Sequence, residues 1–185
     1  MIRLEKMTES TRALAQLLEV APEQLRFVGT MDEILAIAGG AIVPVLVWHH
    51  PDVNQDDTGN TAADASADAT TNSSAADASA EVVGFFLLDK EYDREHEFAN
   101  ASDLGFRAFL IDVRHQGKGF GKAALKALPT FVQTRYPQFQ RLVLTVNLNN
   151  TLARDLYLKS NFIDSNSHYL GGSAGPQHIF YLPLG

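Results

Sequence analysis

Ile111-Asp112-Val113-Arg114-His115-Gln116-Gly117-Lys118-Gly119-Phe120-Gly121-Lys122-Ala123-Ala124 reads as a strand that runs into a glycine-rich turn and opens a helix. Such a junction aims unpaired backbone N–H groups and the positive end of a helix dipole at one point, where a phosphate can sit. Two phosphate motifs fail on register. A P-loop places Gly five residues ahead of Gly-Lys-Ser/Thr, whereas here Gly121-Lys122 is followed by Ala123 and Gly117 stands one position out. The dinucleotide fingerprint needs G-x-G-x-x-G, but these glycines run G-x-G-x-G, and the next strand ends in Asn147 rather than an acid.

Outward from this turn, strand and helix signals alternate. An alternating pattern predicts a strand over 2–7, and Leu14, Leu17 and Leu18 at helical spacing predict a helix over 11–20. Thr30-Met31-Asp32-Glu33 is a capping box ahead of Ile34, Leu35 and Ile37, with Gly39-Gly40 as the stop. Residues 41–48 read as a buried strand, and 82–88, 106–113, 142–147 and 178–182 are rich in β-branched and aromatic residues, as strands are. Helices are expected over 118–135 and 151–160. Pro129 should kink the first of these or split off its last turns, because it lacks an N–H and crowds the preceding turn. Residues 169–176, rich in glycine, read as the turn before the last strand.

The chain has 185 residues, the size of one domain spanning 1–185, with 15 Lys and Arg against 22 Asp and Glu. Residues 54–80 hold five of those aspartates, nine alanines and no Lys or Arg, so they carry −5 of the formal −7. A tract of this composition buries too little apolar surface to offset the entropy of ordering it, and is expected to be a disordered, tolerated insertion in a surface connection. The rest is nearly neutral with no basic block, which argues against a nucleic-acid partner. The absence of cysteine excludes disulfides, thiolate metal sites and cysteine nucleophiles. The six histidines show no zinc spacing, so no metal is expected. Charges within the first six residues, and no apolar run near 18, lead to the expectation of a cytoplasmic protein without a membrane partner.

The turn also satisfies Gln/Arg-x-x-Gly-x-Gly/Ala through Gln116, Gly119 and Gly121, and one helix and one strand later comes Asn150-Thr151-Leu152-Ala153-Arg154-Asp155-Leu156-Tyr157-Leu158-Lys159-Ser160-Asn161-Phe162. Together these resemble the coenzyme A pyrophosphate loop and the Asn-x-x-Ala-x-x-Leu-Tyr-x-Lys-x-Gly-Phe helix of the GNAT superfamily of N-acetyltransferases. Asn161 stands where Gly is usual, and Asn tolerates the left-handed conformation that follows a helix. The resemblance covers most of 82–183. Val83-Gly84-Phe85, the acidic Glu91-Tyr92-Asp93, and Ile111-Asp112 leading into the glycines look most like the bacterial spermine/spermidine (diamine) branch.

The resemblance implies a mixed α/β fold: a mostly antiparallel central sheet, flanked by helices, splayed between parallel strands at 106–113 and 142–147. Acetyl-CoA, the co-substrate, would enter the split. Gln116, Gly117, Lys118, Gly119, Phe120, Gly121 and Lys122 would hold the pyrophosphate, mainly through backbone amides. Ile111, Asp112 and Val113 would pair with the pantetheine arm, one N–H stabilising the developing oxyanion. Asn150 reads as a helix N-cap and, by resemblance, also as a coenzyme A contact.

Acetyl transfer to an amine needs a proton taken from the amine and one given to the departing thiolate. An alkylamine like that of lysine, with pKa about 10.4, is neutral at pH 7 only about once in a thousand. Spacing alone reads Tyr157 as a core aromatic, but by resemblance it would protonate the sulfur. For the acceptor, Glu91 and Asp93 of the acidic run 89–97 are the candidates to bind substrate or accept its proton, and a solvated loop is the plainer reading of that run. The expected reaction is direct acetyl transfer to a small polyamine or diamine. Alternatives are a protein or peptide amine, or a non-catalytic coenzyme A-binding module. A homodimer is left open.

Overall fold

The computed structural model describes residues 1–51 and 79–185. The insertion expected at 54–80 therefore lies, apart from Ser79 and Ala80, outside the described residues. The strands are β1 (Ile2–Lys6), β2 (Ile42–His49), β3 (Glu81–Asp89), β4 (Asp103–Ile111), β5 (Arg141–Asn147), β6 (Ile163–Tyr169) and β7 (Gln177–Pro183). The α-helices are α1 (Arg12–Gln16), α2 (Pro22–Val28), α3 (Met31–Ala36), α4 (Phe120–Arg135) and α5 (Thr151–Leu158). They surround a seven-stranded sheet in the order β1-β2-β3-β4-β5-β7-β6.

Central β3 reads as an unbroken apolar run because both its faces are covered. Phe86 and Leu88 point into the larger core, with Leu125, Leu128 and Val132 of α4, while Phe85 and Leu87 meet Ile34 and Leu35 of α3. All neighbours are antiparallel except β4 and β5, which run parallel and pair only through Asp103–Arg141, Leu104–Leu142 and Gly105–Val143. Beyond Gly105 the two strands part, opening the splay expected from the sequence.

Two features shape this split. At its closed end the buried Asp103 carboxylate accepts a two-pronged contact from Arg141, with Nη2 to Oδ2 at 2.9 Å, and also the Asn100 N–H at 2.8 Å. At its open end β4 bulges: Ala108 and Phe109 together oppose Phe86, and Ala108 has φ +50°. A bulge bends its strand and re-aims the following side chains. Here it coincides with the divergence of β4 from β5.

Several elements depart from the sequence expectation. The strand expected over 106–113 runs instead from Asp103 to Ile111. The helix expected over 11–20 reduces to a 3-10 turn and the short α1. Pro129 does not split α4, which continues for 16 residues to Arg135. Two elements gave no sequence signal: α2 has no buried residue, and β6 is a polar edge strand, Ile-Asp-Ser-Asn-Ser-His-Tyr, mostly exposed on both faces. The capping box forms as read, with Glu33 N donating to Thr30 Oγ1 and Thr30 N donating to Glu33 Oε2 at 2.8 Å. Asn161 takes the left-handed conformation, φ +67°.

Replacing Asp103 with Asn removes the charge that Arg141 and the Asn100 amide share. Stability should fall by about 2 kcal/mol, read as a lower urea midpoint.

Candidate active site

After Ile111 the chain leaves the sheet, and a buried carboxylate fixes where it goes. Asp112 has no exposed side-chain surface; its oxygens accept from Arg114 Nε (2.8 Å), Arg114 Nη2 (2.7 Å), the Arg114 amide (2.9 Å) and the Glu19 amide (2.9 Å). Burial alone would raise its pKa, but these hydrogen bonds prevail and hold it at about 2. Arg114 also donates to Leu17 O, so the turn is tied to the α1–α2 connection. This corrects the expected role of two residues. The Asp112 N–H donates to Val83 O and the Val113 N–H to Glu19 O, so neither is free to pair with an extended ligand. The edge that β5 leaves unpaired belongs to 106–111.

The glycine turn closes back on the strand. Gln116 Nε2 donates to Ile111 O and to Gln24 Oε1, both at 2.9 Å. Gly117 (φ +74°) and Gly119 (φ +83°) are left-handed, and a Cβ on either would meet nothing, so glycine is required there for conformation rather than space. Gly121 is ordinary, its Cβ position lying 3.5 Å from Ile111 and Leu156. The helical ladder of α4 starts with the Ala123 N–H donating to Gly119 O, so the amides just before it leave the helix end unpaired. Lys118 Nζ donates to Arg114 O at 2.9 Å. Lys122 is exposed on the first turn.

These amides border a cleft of about 290 Å³ lined by Phe109, Leu110, Ile111, residues 116–117 and 119–122, and one face of α5. Asn150 lies in it and caps α5, its Oδ1 accepting from the Ala153 N–H at 3.2 Å. Tyr157 is buried at the cleft's inner end, and burial pushes its hydroxyl pKa up, which keeps it protonated. The structure thus brings Ile111, Gln116, Gly117, Gly119, Phe120, Gly121, Lys122, Asn150 and Tyr157 to one place.

A second, larger cavity of about 520 Å³ lies beside it and shares Val28, Phe109, Asn150, Ala153 and Tyr157 with the cleft. Its wall does not include Glu91 or Asp93, which corrects their expected place: Glu91 instead pairs with Arg94 Nη1 at 2.7 Å on the surface. The acids that do line it are Glu33 and Glu95. Arg107 reaches the same wall with its charge engaged, Nη1 lying 2.8 Å from the buried Asp89 carboxylate and 3.8 Å from Glu95. Tyr92, His96 and Tyr169 form an aromatic corner of the cavity. Gly105 makes this corner possible, because a Cβ there would fall 2.4 Å from the Tyr92 ring. Burial raises the Tyr92 pKa to about 12, although nearby Thr145 and Arg107 act the other way.

The acidic run hides this division of labour. Tyr92 and His96 are its ring-bearing members and Phe98 follows directly after it, and that spacing along a charged segment was the available signal that one side of it turns inward.

Residues 41–162, about two thirds of the chain, match the Acetyltransferase (GNAT) family model. The chain belongs to the GNAT acetyltransferase family. The matched stretch takes in the glycine turn, Asn150 and Tyr157. The chain is similar to two curated proteins of Bacillus subtilis (strain 168). It is 33% identical over 90 residues to the uncharacterized N-acetyltransferase YbbJ, covering 48% of this chain and 56% of that one. It is 36% identical over 84 residues to the spermine/spermidine N(1)-acetyltransferase, covering 44% and 53%. The chain thus spans about half the length of the curated relatives it matches. Among solved structures, the aminoglycoside acetyltransferase AAC(6')-Ib in complex with coenzyme A superposes with TM-score 0.64 at 15% identity, covering 99% of this chain and 95% of that one. The Vibrio cholerae spermidine N-acetyltransferase in complex with CoA and spermine does so with TM-score 0.58 at 15% identity, covering 99% and 95%. At these identities the structures show a shared fold. Among the described residues, no helix is long and apolar enough to cross a membrane, and no group of three or more His, Asp or Glu is placed to hold a metal ion.

Asp112→Asn removes the acceptor that anchors the turn and should cost about 2 kcal/mol at neutral pH. Because the folded pKa is depressed, the wild type's advantage is complete above the unfolded value of about 3.9 and disappears as the pH falls toward about 2, which urea unfolding at several pH values can follow. The glycines should separate cleanly in the same assay. Gly119→Ala forces a left-handed alanine and costs about 1–2 kcal/mol, whereas Gly121→Ala is neutral or gains up to about 1 kcal/mol.

Proposed function

We propose that the chain is an acetyl-CoA-dependent N-acetyltransferase that acylates a primary amine of a small polyamine or diamine by direct attack in a ternary complex. The observation that carries this reading is the meeting of two cavities at Tyr157: one bordered by the glycine turn and its free amides, the other by acids and aromatic rings. In the first, the amides of residues 116–122 would hold the diphosphate with the α4 dipole behind them. The exposed edge of 106–111 would take the extended arm as an added strand, with a main-chain N–H stabilising the oxyanion.

The thioester would then lie beside Phe109, Ala153 and Tyr157, where Ala153 leaves room that a larger side chain would fill. As the C–N bond forms and the C–S bond breaks, the Tyr157 hydroxyl would donate to the departing sulfur. Its burial suits that role, since a raised pKa keeps the proton on oxygen until a thiolate develops. Glu33 and Glu95 would favour a cationic acceptor, because Arg107 in the same wall is already balanced by Asp89. The similarity to the Bacillus subtilis spermine/spermidine N(1)-acetyltransferase supports a polyamine acceptor.

Titration calorimetry with acetyl-CoA should show saturable binding, and a panel of amines should identify an acceptor among the polyamines. Tyr157→Phe should lower kcat about 100-fold while changing the acetyl-CoA Kd less than about twofold. Unchanged turnover removes Tyr157 from the role of acid. Binding without transfer to any amine leaves a coenzyme A-binding module instead.

A further inference from the structure

The proposed reaction needs a group that takes the proton of the acceptor ammonium, and the carboxylates read from the sequence do not face the cavity. Of the acids that do, Glu33 is committed to its capping box, its Oε2 accepting the Thr30 N–H at 2.8 Å and hydroxyl at 3.0 Å. Glu95 is largely exposed and leans toward Arg107. Asp89 is buried against Arg107 and the Glu91 amide.

His96 differs from all of these. Its ring lies flat on Tyr92, centroids 3.9 Å apart and planes 13° from parallel, with Tyr169 at 5.2 Å and Phe98 at 5.3 Å, so its orientation is fixed by packing. Its Nδ1 lies 3.1 Å from Tyr92 O. A carbonyl oxygen only accepts, so Nδ1 carries the proton and Nε2 presents a bare lone pair. Among the described residues, the sealed side-chain polar atoms that lack a partner belong to Trp48, His50 and Ser160. His96 Nε2 is not one of them and takes part in no hydrogen bond among the described residues, so it is not sealed, and the ring itself lines the cavity.

We propose that His96 is the general base of this acetyltransferase, accepting the acceptor's ammonium proton at Nε2; this rests on the acetyl-transfer reading above. The proton passes from nitrogen to Nε2, giving an imidazolium held by the Tyr92 carbonyl through Nδ1–H. The freed nitrogen lone pair attacks the thioester carbon, the C–S bond breaks, and the thiolate takes the Tyr157 proton. The second proton lost by the new amide nitrogen restores Tyr157, and the imidazolium releases its own to solvent. One proton leaves per turnover, as conversion of an ammonium and a thioester to an amide and a thiol requires.

The charged surroundings suit this role. Burial, and then Arg107, lower the His96 pKa; the Tyr92 carbonyl, Glu95 and Asp89 act the other way, and the net shift is downward. The imidazole is thus neutral near pH 7 and able to accept.

The test uses the full chain with the acceptor identified from the amine panel. Wild-type kcat/KM should fall on the acid side with an apparent pKa that matches the His96 ring titration followed by NMR, and that spectrum should show the neutral ring protonated on Nδ1. His96→Gln, which cannot accept a proton, should lose about 100-fold in kcat near pH 7 with the acetyl-CoA Kd unchanged. The deficit should shrink steadily toward about pH 9, as more of the amine arrives already deprotonated. A merely structural role would lower the rate equally at every pH. A His96→Gln rate within about threefold of wild type, a pH-independent deficit, or a ring protonated on Nε2 overturns the proposal while leaving the acetyl-transfer reading intact. Absence of transfer by the wild type to any amine overturns both. If His96→Gln fails to unfold cooperatively, the wild-type comparison decides alone: a mismatch between the kinetic and ring pKa values overturns the assignment.

Discussion

The parallel ladder between β4 and β5 stops after three residue pairs, and the site exists because it stops there. Had the pairing continued to Ile111, the backbone edge of 106–111 would be spent on β5 and no channel would cross the sheet. The Asp103–Arg141 fork secures the pairs that do form, and the bulge at Ala108 and Phe109 lies where β4 swings off the plane of β5. One strand thus serves as structural sheet at one end and as an open edge at the other. A fork between buried carboxylate and guanidinium is well suited to the closed end, because its geometry is fixed by two parallel contacts and resists fraying.

The loop that follows β4 depends on a second buried carboxylate. Asp112 gathers four hydrogen bonds from Arg114 and Glu19, using amides that would otherwise be unpaired in a turn. This directs the chain into the left-handed residues Gly117 and Gly119 and so aims the start of α4. Asp112 therefore acts through the position of the loop. Gln116 has a similar part, its side chain bridging Ile111 and Gln24 while the main chain around it stays open to the cleft.

On the other side of the split, the connection from β3 to β4 folds under the sheet, and Gly105 is what admits it. With no Cβ there, the Tyr92 ring lies against the strand, His96 stacks on Tyr92, and Tyr169 from β6 closes the corner. The charged members of that connection divide between solvent and cavity: Glu91 pairs outward with Arg94, and Glu95 lines the cavity near Arg107. Arg107 sits where the strand offers no acid, and its charge is spent on Asp89, so the wall keeps its acidic character.

Much of the side of the split that holds the glycine turn was legible in residue order, because a glycine-rich turn between a strand and a helix is a local device whose amides are aimed by backbone geometry over a few residues. The Thr30–Glu33 capping box, the buried run of β3 and the left-handed Asn161 just beyond α5 were readable for the same reason: each depends on neighbours within about one turn. The side with the larger cavity was not. Which acids face the cavity, which amides past Ile111 are already used, and that His96 presents a bare nitrogen are decided by contacts between segments far apart in the chain, such as Val113 N with Glu19 O and His96 with Tyr169. Edge strand β6 shows the same limit from the other direction. Its polar sequence carries no apolar alternation, and only pairing with β7 makes it a strand. Local chemistry determined the glycine turn; the orientation of everything opposite it followed from long-range packing, which spacing along the chain does not encode.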